Sequence, residues 1–229
     1  MDKLPGDADC PECGRPIAAS RAERRVGLPW QHAATPRAWL STAAAIAIAP
    51  KSSFGRLDLG GSNLRDRLFL LSVASLVGGG WGLATLALTD RGFLMAWLQG
   101  MAAAKVVLAM SYVEVLGVTL FSRRRGWRVP ITRAERVVAY ASVGWVAAAA
   151  VLTMLRAVDA AGWADRWITL AVGTTAVDTA LLLAAVGFGL AVLGFETLVW
   201  VGVRAVRYGN APAPAAPAAA TLTVSPEHD

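Results

Sequence analysis

Long uncharged apolar stretches alternate with charged loops along this chain. Residues 68–88 form twenty-one residues without a charge, and further apolar stretches cover residues 93–121, 137–155 and 167–203. At a rise of about 1.5 Å per residue, the first stretch is long enough to cross the roughly 30 Å hydrocarbon core of a bilayer as one helix. Because backbone polar groups in lipid must be satisfied internally, the pattern predicts an all-α membrane protein, a bundle of about four transmembrane helices.

The number of crossings depends on the last apolar stretch, which is thirty-seven residues long, too long for one crossing and barely enough for two. Lys and Arg number ten before the first span, six between the second and third, and two after Val203, against one and two in the intervening loops. By the positive-inside rule this distribution fits four spans with both termini in the cytoplasm, and five spans are the alternative. We expect an integral protein of a bacterial cytoplasmic membrane, with spans near residues 68–88, 101–121, 137–155 and 180–203.

The same pattern divides the chain into four segments. They are a short cytoplasmic head over 1–34, an interfacial amphipathic helix with a linker over 35–67, the membrane domain over 68–204, and a disordered Ala/Pro tail over 205–229. The alternative for the helix of the second segment is that it packs on the membrane domain. Thr35 before Pro36 predicts a capped helix start, and Pro50 predicts the end of that helix. Residues 132–135 read Thr-Arg-Ala-Glu, a capping-box pattern that predicts the start of the third membrane helix.

Charged residues inside the apolar stretches are candidate functional residues by default. They are Lys105, Glu114, Asp178 and Glu196. The second stretch either tilts or begins its crossing near Met101, and in both cases Glu114 lies deep while Lys105 can snorkel outward. Lys105 and Glu114 lie about 180° apart around a helix, so any partner of Glu114 must come from another helix. The alternative is that the other three charges lie near the interfaces and leave Glu114 as the single deep charge.

The sharpest local motif is Cys10-Pro-Glu-Cys13-Gly. Two thiolates at this spacing can hold one zinc ion from a tight turn, as one knuckle of a zinc ribbon does, but a tetrahedral site needs four ligands. Three interpretations stay open: zinc shared between two chains of a homodimer, zinc completed by His32 with a carboxylate or water, and a motif that binds no metal. Zinc is the candidate cofactor.

Composition and charge narrow the partners. The chain is 55% hydrophobic and 17% charged, with a net charge of +6, which favours a membrane protein over an ordinary soluble domain. Its arginines flank apolar runs and do not share a face with aromatic residues, so we expect contact with anionic lipid and not with nucleic acid. The group after the second span, which we expect to anchor the topology and contact lipid headgroups, comprises Arg123, Arg124, Arg125 and Arg128.

Three segments together resemble a known family. The sequence CPECGRPI, then GLPWQ, then an RAWLST…AP…F segment precede the apolar domain. This order resembles bacterial membrane proteins that join a zinc-ribbon-like head to a domain of the Yip family, whose eukaryotic members interact with Rab GTPases. The resemblance implies a polytopic domain, typically of five spans, and a non-enzymatic membrane scaffold without catalytic residues.

The residues favour no enzyme, because the spans contain neither a histidine nor a Ser/His or paired-Asp arrangement. The first functional hypothesis is a membrane scaffold or adaptor that acts through lipid and protein contacts and through self-association. The second is a small transporter or channel component in which Glu114 and Glu196 line a proton or cation path. The third is a metal-responsive membrane regulator that senses through Cys10 and Cys13.

Overall fold

The computed structural model describes residues 25–60, 62–89, 92–127, 129–161 and 179–207, and all of their regular structure is helical. The helices are α1 (Pro29–His32), α2 (Pro36–Ile48), α3 (Pro50–Arg56), α4 (Leu64–Leu88), α5 (Phe93–Arg124), α6 (Ile131–Ala141), α7 (Val143–Ala160) and α8 (Thr179–Val206). The predicted all-α fold is confirmed. Cys10, Cys13, Arg128, Asp178 and residues 208–229 of the predicted tail lie outside the described residues. The predicted start of the tail at residue 205 is wrong, because α8 continues to Val206.

Four helical segments within the described residues are long and apolar enough to cross a membrane. They are Leu64–Leu88, Phe93–Arg124, Ile131–Leu155 and Ala185–Val206. The third combines α6 and α7, which are separated by the single turn residue Ser142. This agrees with the predicted count of four spans and makes the protein a multi-pass membrane protein.

Two of the predicted span boundaries differ from the helices. α4 begins at Leu64, four residues before the apolar run, and α5 is one continuous helix from Phe93 to Arg124 without a break near Met101. The last candidate span, Ala185–Val206, overlaps the predicted span near residues 180–203. Charged residues at a helix end therefore extend the helix beyond the apolar stretch that marks the span.

Glycines allow α4 and α5 to pack closely as an antiparallel pair. A Cβ atom at Gly78 would lie 2.6 Å from the carbonyl oxygen of Gly100. A side-chain carbon does not approach an oxygen atom this closely. Gly187 on α8 similarly leaves room for Leu152. Close helix packing through small residues therefore occurs at some of the membrane glycines, whereas open space surrounds Gly79, Gly80, Gly189 and Gly194.

The helices α1 to α3 pack on one end of the bundle. Thr35 Oγ1 accepts a hydrogen bond from Ala38 N at 3.2 Å, which confirms the predicted cap, and α2 ends before Pro50 as predicted. The Trp39 indole donates to Ser72 Oγ of α4 at 2.7 Å. Because Ser72 lies two turns inside α4, α2 lies alongside a spanning helix, and its interfacial location stays a prediction.

The predicted capping box at residues 132–135 is wrong. α6 begins at Ile131, one residue earlier, with Pro130 at the cap position and no side-chain capping bond. Glu135 instead accepts hydrogen bonds from Asn63 Nδ2 and Arg67 Nη2, each at 3.1 Å. A carboxylate that has an amide and a guanidinium from another segment within reach does not fold back on its own helix.

Candidate intramembrane carboxyl site

Glu114 on α5 and Glu196 on α8 meet inside the membrane domain. The two side chains approach each other closely enough for their carboxyl groups to interact, and both are half-buried. Gly117, one turn further along α5, presents no side chain to the Glu114 carboxyl, whose Oε2 lies 3.9 Å from the position of a Cβ there. The partner of Glu114 therefore comes from another helix, as the spacing predicted, and it is a second acid.

Both acids lie at a similar depth in their helices. Glu114 precedes Arg124 by ten residues, about 15 Å along the axis, and Glu196 precedes Arg204 by eight residues, about 12 Å. These arginines mark one end of the bundle, where α5 and α8 finish, which we call the arginine-rich end. The acids therefore lie about two to three helical turns from this end, at the level where the start of α4 packs on α5.

A small cavity, lined by both apolar and polar side chains, lies one helical turn from Glu114. Ser111 of α5 lines it together with Asn63, Asp66 and Glu135 from the segments at the arginine-rich end. The Ser111 side chain is fully buried, and its Oγ has no hydrogen-bond partner among the described residues. An unpaired buried hydroxyl beside other polar side chains is a typical place for an internal water molecule.

The remaining candidate charges do not join the pair in the part of the chain that the structure describes. Lys105 is exposed on the surface of α5, consistent with a side chain that snorkels. Asp178 falls just before the first described residue of α8. The site therefore consists of Glu114 and Glu196.

A buried ion pair between α4 and α6 was not found by sequence reasoning. Arg136 Nε lies 2.7 Å from Asp66 Oδ2, and each side chain is only 3% exposed. Tyr140, one turn after Arg136, donates from its hydroxyl to the other Asp66 oxygen at 2.8 Å. The Asp66 carboxylate is thus paired and hydrogen-bonded at both oxygens, the arrangement that a buried charge requires.

Arg136 also holds the linker between α3 and α4. Its Nη1 donates to the carbonyl oxygens of Asp58 at 2.7 Å and Gly60 at 2.8 Å, and its Nη2 donates to Asn63 Oδ1 at 2.8 Å. A guanidinium offers five N–H donors in a rigid fork, which suits it to join several segments at once. We call Asp66, Arg136 and Tyr140, with the linker carbonyls, the Arg136 network and assign it a structural role.

The structure places His32, the third ligand in one zinc interpretation, at the end of α1. Its Nε2 lies 2.6 Å from the carbonyl oxygen of Val26, and since a carbonyl only accepts, Nε2 carries the proton and Nδ1 is left for any metal. Gly27 has a φ of +82°, and a Cβ there would lie 2.9 Å from His32 Nε2, so glycine permits this contact. Within the described residues, no three His, Cys, Asp or Glu side chains cluster as a metal site would require.

The arginines that directly follow the second span lie at the end of α5. Arg123, Arg124 and Arg125 are all exposed at the end of α5, and the guanidinium of Arg125 lies over the Phe121 ring. Their predicted role as lipid-headgroup ligands stays a prediction. No known protein family, curated protein or solved structure matches this chain.

Proposed function

We propose that this multi-pass membrane protein carries protons across the membrane, as a small transporter or channel component, through the carboxyl pair of Glu114 and Glu196. The observation that supports the proposal is the close approach of the two carboxyl groups between α5 and α8, within two of the candidate spans. Acids are rare in membrane spans because an ionised side chain there is costly, and those that occur mark proton or ion pathways. Two acids in contact are a stronger sign than one.

The chemistry of such a pair is proton sharing. Two adjacent carboxylates in a poorly solvated site cannot both stay ionised, since repulsion and desolvation each disfavour the second negative charge. One proton is then held between the two groups. It is released when a water molecule or another acceptor takes it up. A pair of this kind titrates as a unit, so that Glu114 and Glu196 act as a single proton carrier.

The cavity beside Ser111 supports a route to the pair from the start of α4, on the same side of the bundle as the arginine-rich end. Asn63, Asp66 and Glu135 line the cavity at that end, and Ser111 brings it to within one helical turn of Glu114. A water held by the unpaired Ser111 hydroxyl would extend the hydrogen-bonding path toward the carboxyl pair. By the distribution of Lys and Arg, we propose that this end faces the cytoplasm.

Proton flux into proteoliposomes, followed by an internal pH-sensitive dye, tests the proposal. We expect Glu114→Gln to lower the flux at least tenfold and to remove its pH dependence, because an amide can neither release nor take up the proton. The matched control is Lys105→Gln, which removes a charge from the exposed surface of the same helix and should leave flux unchanged. Wild-type flux in Glu114→Gln, or equal losses in both variants, would contradict the proposal.

A membrane scaffold, which the resemblance to Yip-family proteins implies, is the second candidate function. The observation that favours it is the exposed apolar side of α2, where Leu40 and Ile48 are 63% and 84% exposed. Such residues fit a helix that rests on the membrane surface or on a partner. A scaffold tolerates Glu114→Gln in every assay, so the flux measurement distinguishes the two candidates.

A further inference from the structure

Three aromatic rings gather at the arginine-rich end. Phe121 near the end of α5, Trp127 in the following loop and Trp200 near the end of α8 have ring centroids 5.6 to 6.0 Å apart. Tryptophan is enriched where the hydrocarbon of a bilayer gives way to headgroups. The rings lie at this level, because α5 ends at Arg124 and α8 at Val206.

An arginine guanidinium lies over each of the three rings. The guanidinium carbon of Arg125 lies 5.2 Å from the Phe121 ring centre, that of Arg204 lies 5.6 Å from Trp200, and that of Arg207 lies 5.0 Å from Trp127. These are cation–π distances, and a ring holds the charged group in one place at little entropic cost. We call the three rings and their arginines the arginine–ring cluster.

The cluster holds more positive charge than is required to balance the dipoles at the C-termini of two helices. Helix C-termini favour cations, yet three guanidinium groups share one small surface, and among the described residues Arg125 and Arg204 have no carboxylate partner. The buried Arg25 adds a fourth cation at the same helix end, donating to the Ala205 carbonyl at 3.1 Å. Burial lowers the pKa of Arg25, and the charge of Arg133 lowers it further.

We propose that the arginine–ring cluster binds the phosphate group of an anionic phospholipid. The charge is complementary, and guanidinium groups pair with phosphate oxygens through several N–H donors at once. A lipid phosphate lies at the depth where the spanning helices end and the tryptophans lie. The cluster joins α5 to α8, so the bound lipid would bridge the two helices that carry Glu114 and Glu196.

Native mass spectrometry of the full chain in mild detergent, titrated with palmitoyl-oleoyl phosphatidylglycerol, tests this site. The triple variant R125Q/R204Q/R207Q should raise the apparent Kd for this lipid at least tenfold, since each arginine near a membrane surface contributes roughly a fivefold attraction to anionic lipid. Phosphatidylcholine, whose headgroup has no net charge, should bind weakly to both proteins. An unchanged Kd for phosphatidylglycerol in the triple variant would overturn the proposal.

A second triple variant separates the cluster from diffuse positive charge. R37Q/K51Q/R56Q removes the same number of charges from exposed side chains of α2 and α3, outside the cluster, and it should change the Kd by no more than about twofold if held cations outweigh diffuse ones. Equal losses in both triple variants would overturn a defined site.

Two further measurements complete the test. R125K/R204K/R207K keeps the charge and the fold but lacks the guanidinium fork, so we expect a Kd between those of the wild type and the glutamine variant. A wild-type Kd in the lysine variant would contradict recognition by guanidinium groups. Glycerol phosphate and inorganic phosphate should not displace the lipid, and displacement by either would show that the ligand is a soluble phosphate.

Discussion

Removal of the Asp66 carboxylate is expected to destabilise the bundle strongly. Asp66→Ala deletes the partner of Arg136 Nε, 2.7 Å away, and the acceptor of the Tyr140 hydroxyl, 2.8 Å away. The guanidinium of Arg136 would then be a buried cation that has lost the Asp66 counter-charge. This cost exceeds that of a lost contact, because the stranded charge cannot reach water.

The expected size of the effect follows from burial. Breaking a buried ion pair by removing one partner costs about 3–5 kcal/mol. Arg136 keeps its hydrogen bonds to Asp58 O, Gly60 O and Asn63 Oδ1, and these place the expected loss near the lower value, about 3 kcal/mol.

Reversible unfolding of the purified protein by SDS titration from mild detergent, followed by tryptophan fluorescence, measures the free energy of unfolding. The matched control is Arg67→Gln, which breaks the exposed Arg67–Glu135 pair, where the Arg67 side chain is 58% exposed. The control should cost no more than about 1 kcal/mol. Equal losses for Asp66→Ala and the control would refute the reasoning that burial makes the Asp66–Arg136 pair important.

Two further predictions concern helix packing and the metal motif. Gly78→Ala places a methyl group 2.6 Å from the Gly100 carbonyl and should cost about 1–3 kcal/mol in the same unfolding assay. The control, Gly79→Ala, meets open space and should be neutral. An equal cost at both positions would show that the close approach of α4 and α5 does not matter. For the motif, a purified dimer should hold about one zinc per two chains if thiolates of both chains share the ion, and C10S/C13S should remove it. A metal-free wild-type protein would leave the motif without a zinc role.

The number and position of the spans could be predicted from the sequence because they depend on the length of apolar runs. The uncharged run over residues 68–88 lies within α4, and the last candidate span, Ala185–Val206, overlaps its predicted range. The boundaries were less accurate. Leu64 starts α4 within a charged segment, since Asp66 is neutralised by Arg136 and does not need water.

The carboxyl site could be predicted in part. Both Glu114 and Glu196 stood out as charges in apolar stretches, but eighty-one intervening residues separate them, and their contact depends on how α5 and α8 pack. The Arg136 network was missed because Asp66 and Arg136 lie at the ends of apolar runs, where charged residues ordinarily face headgroups or water. The sequence pattern assigned Glu135 to a local cap, but Glu135 instead accepts a hydrogen bond from Arg67 of α4.

The most direct test of the central claim, that Glu114 and Glu196 form one protonated site in the membrane, is labelling with a hydrophobic carbodiimide. This reagent reacts with protonated carboxyl groups in apolar surroundings, and mass spectrometry of peptides locates the adduct. We predict one adduct per chain, on Glu114 or Glu196, formed more slowly as pH rises and absent from E114Q/E196Q. Adducts on neither residue, or on both residues of the same chain at once, would contradict the account.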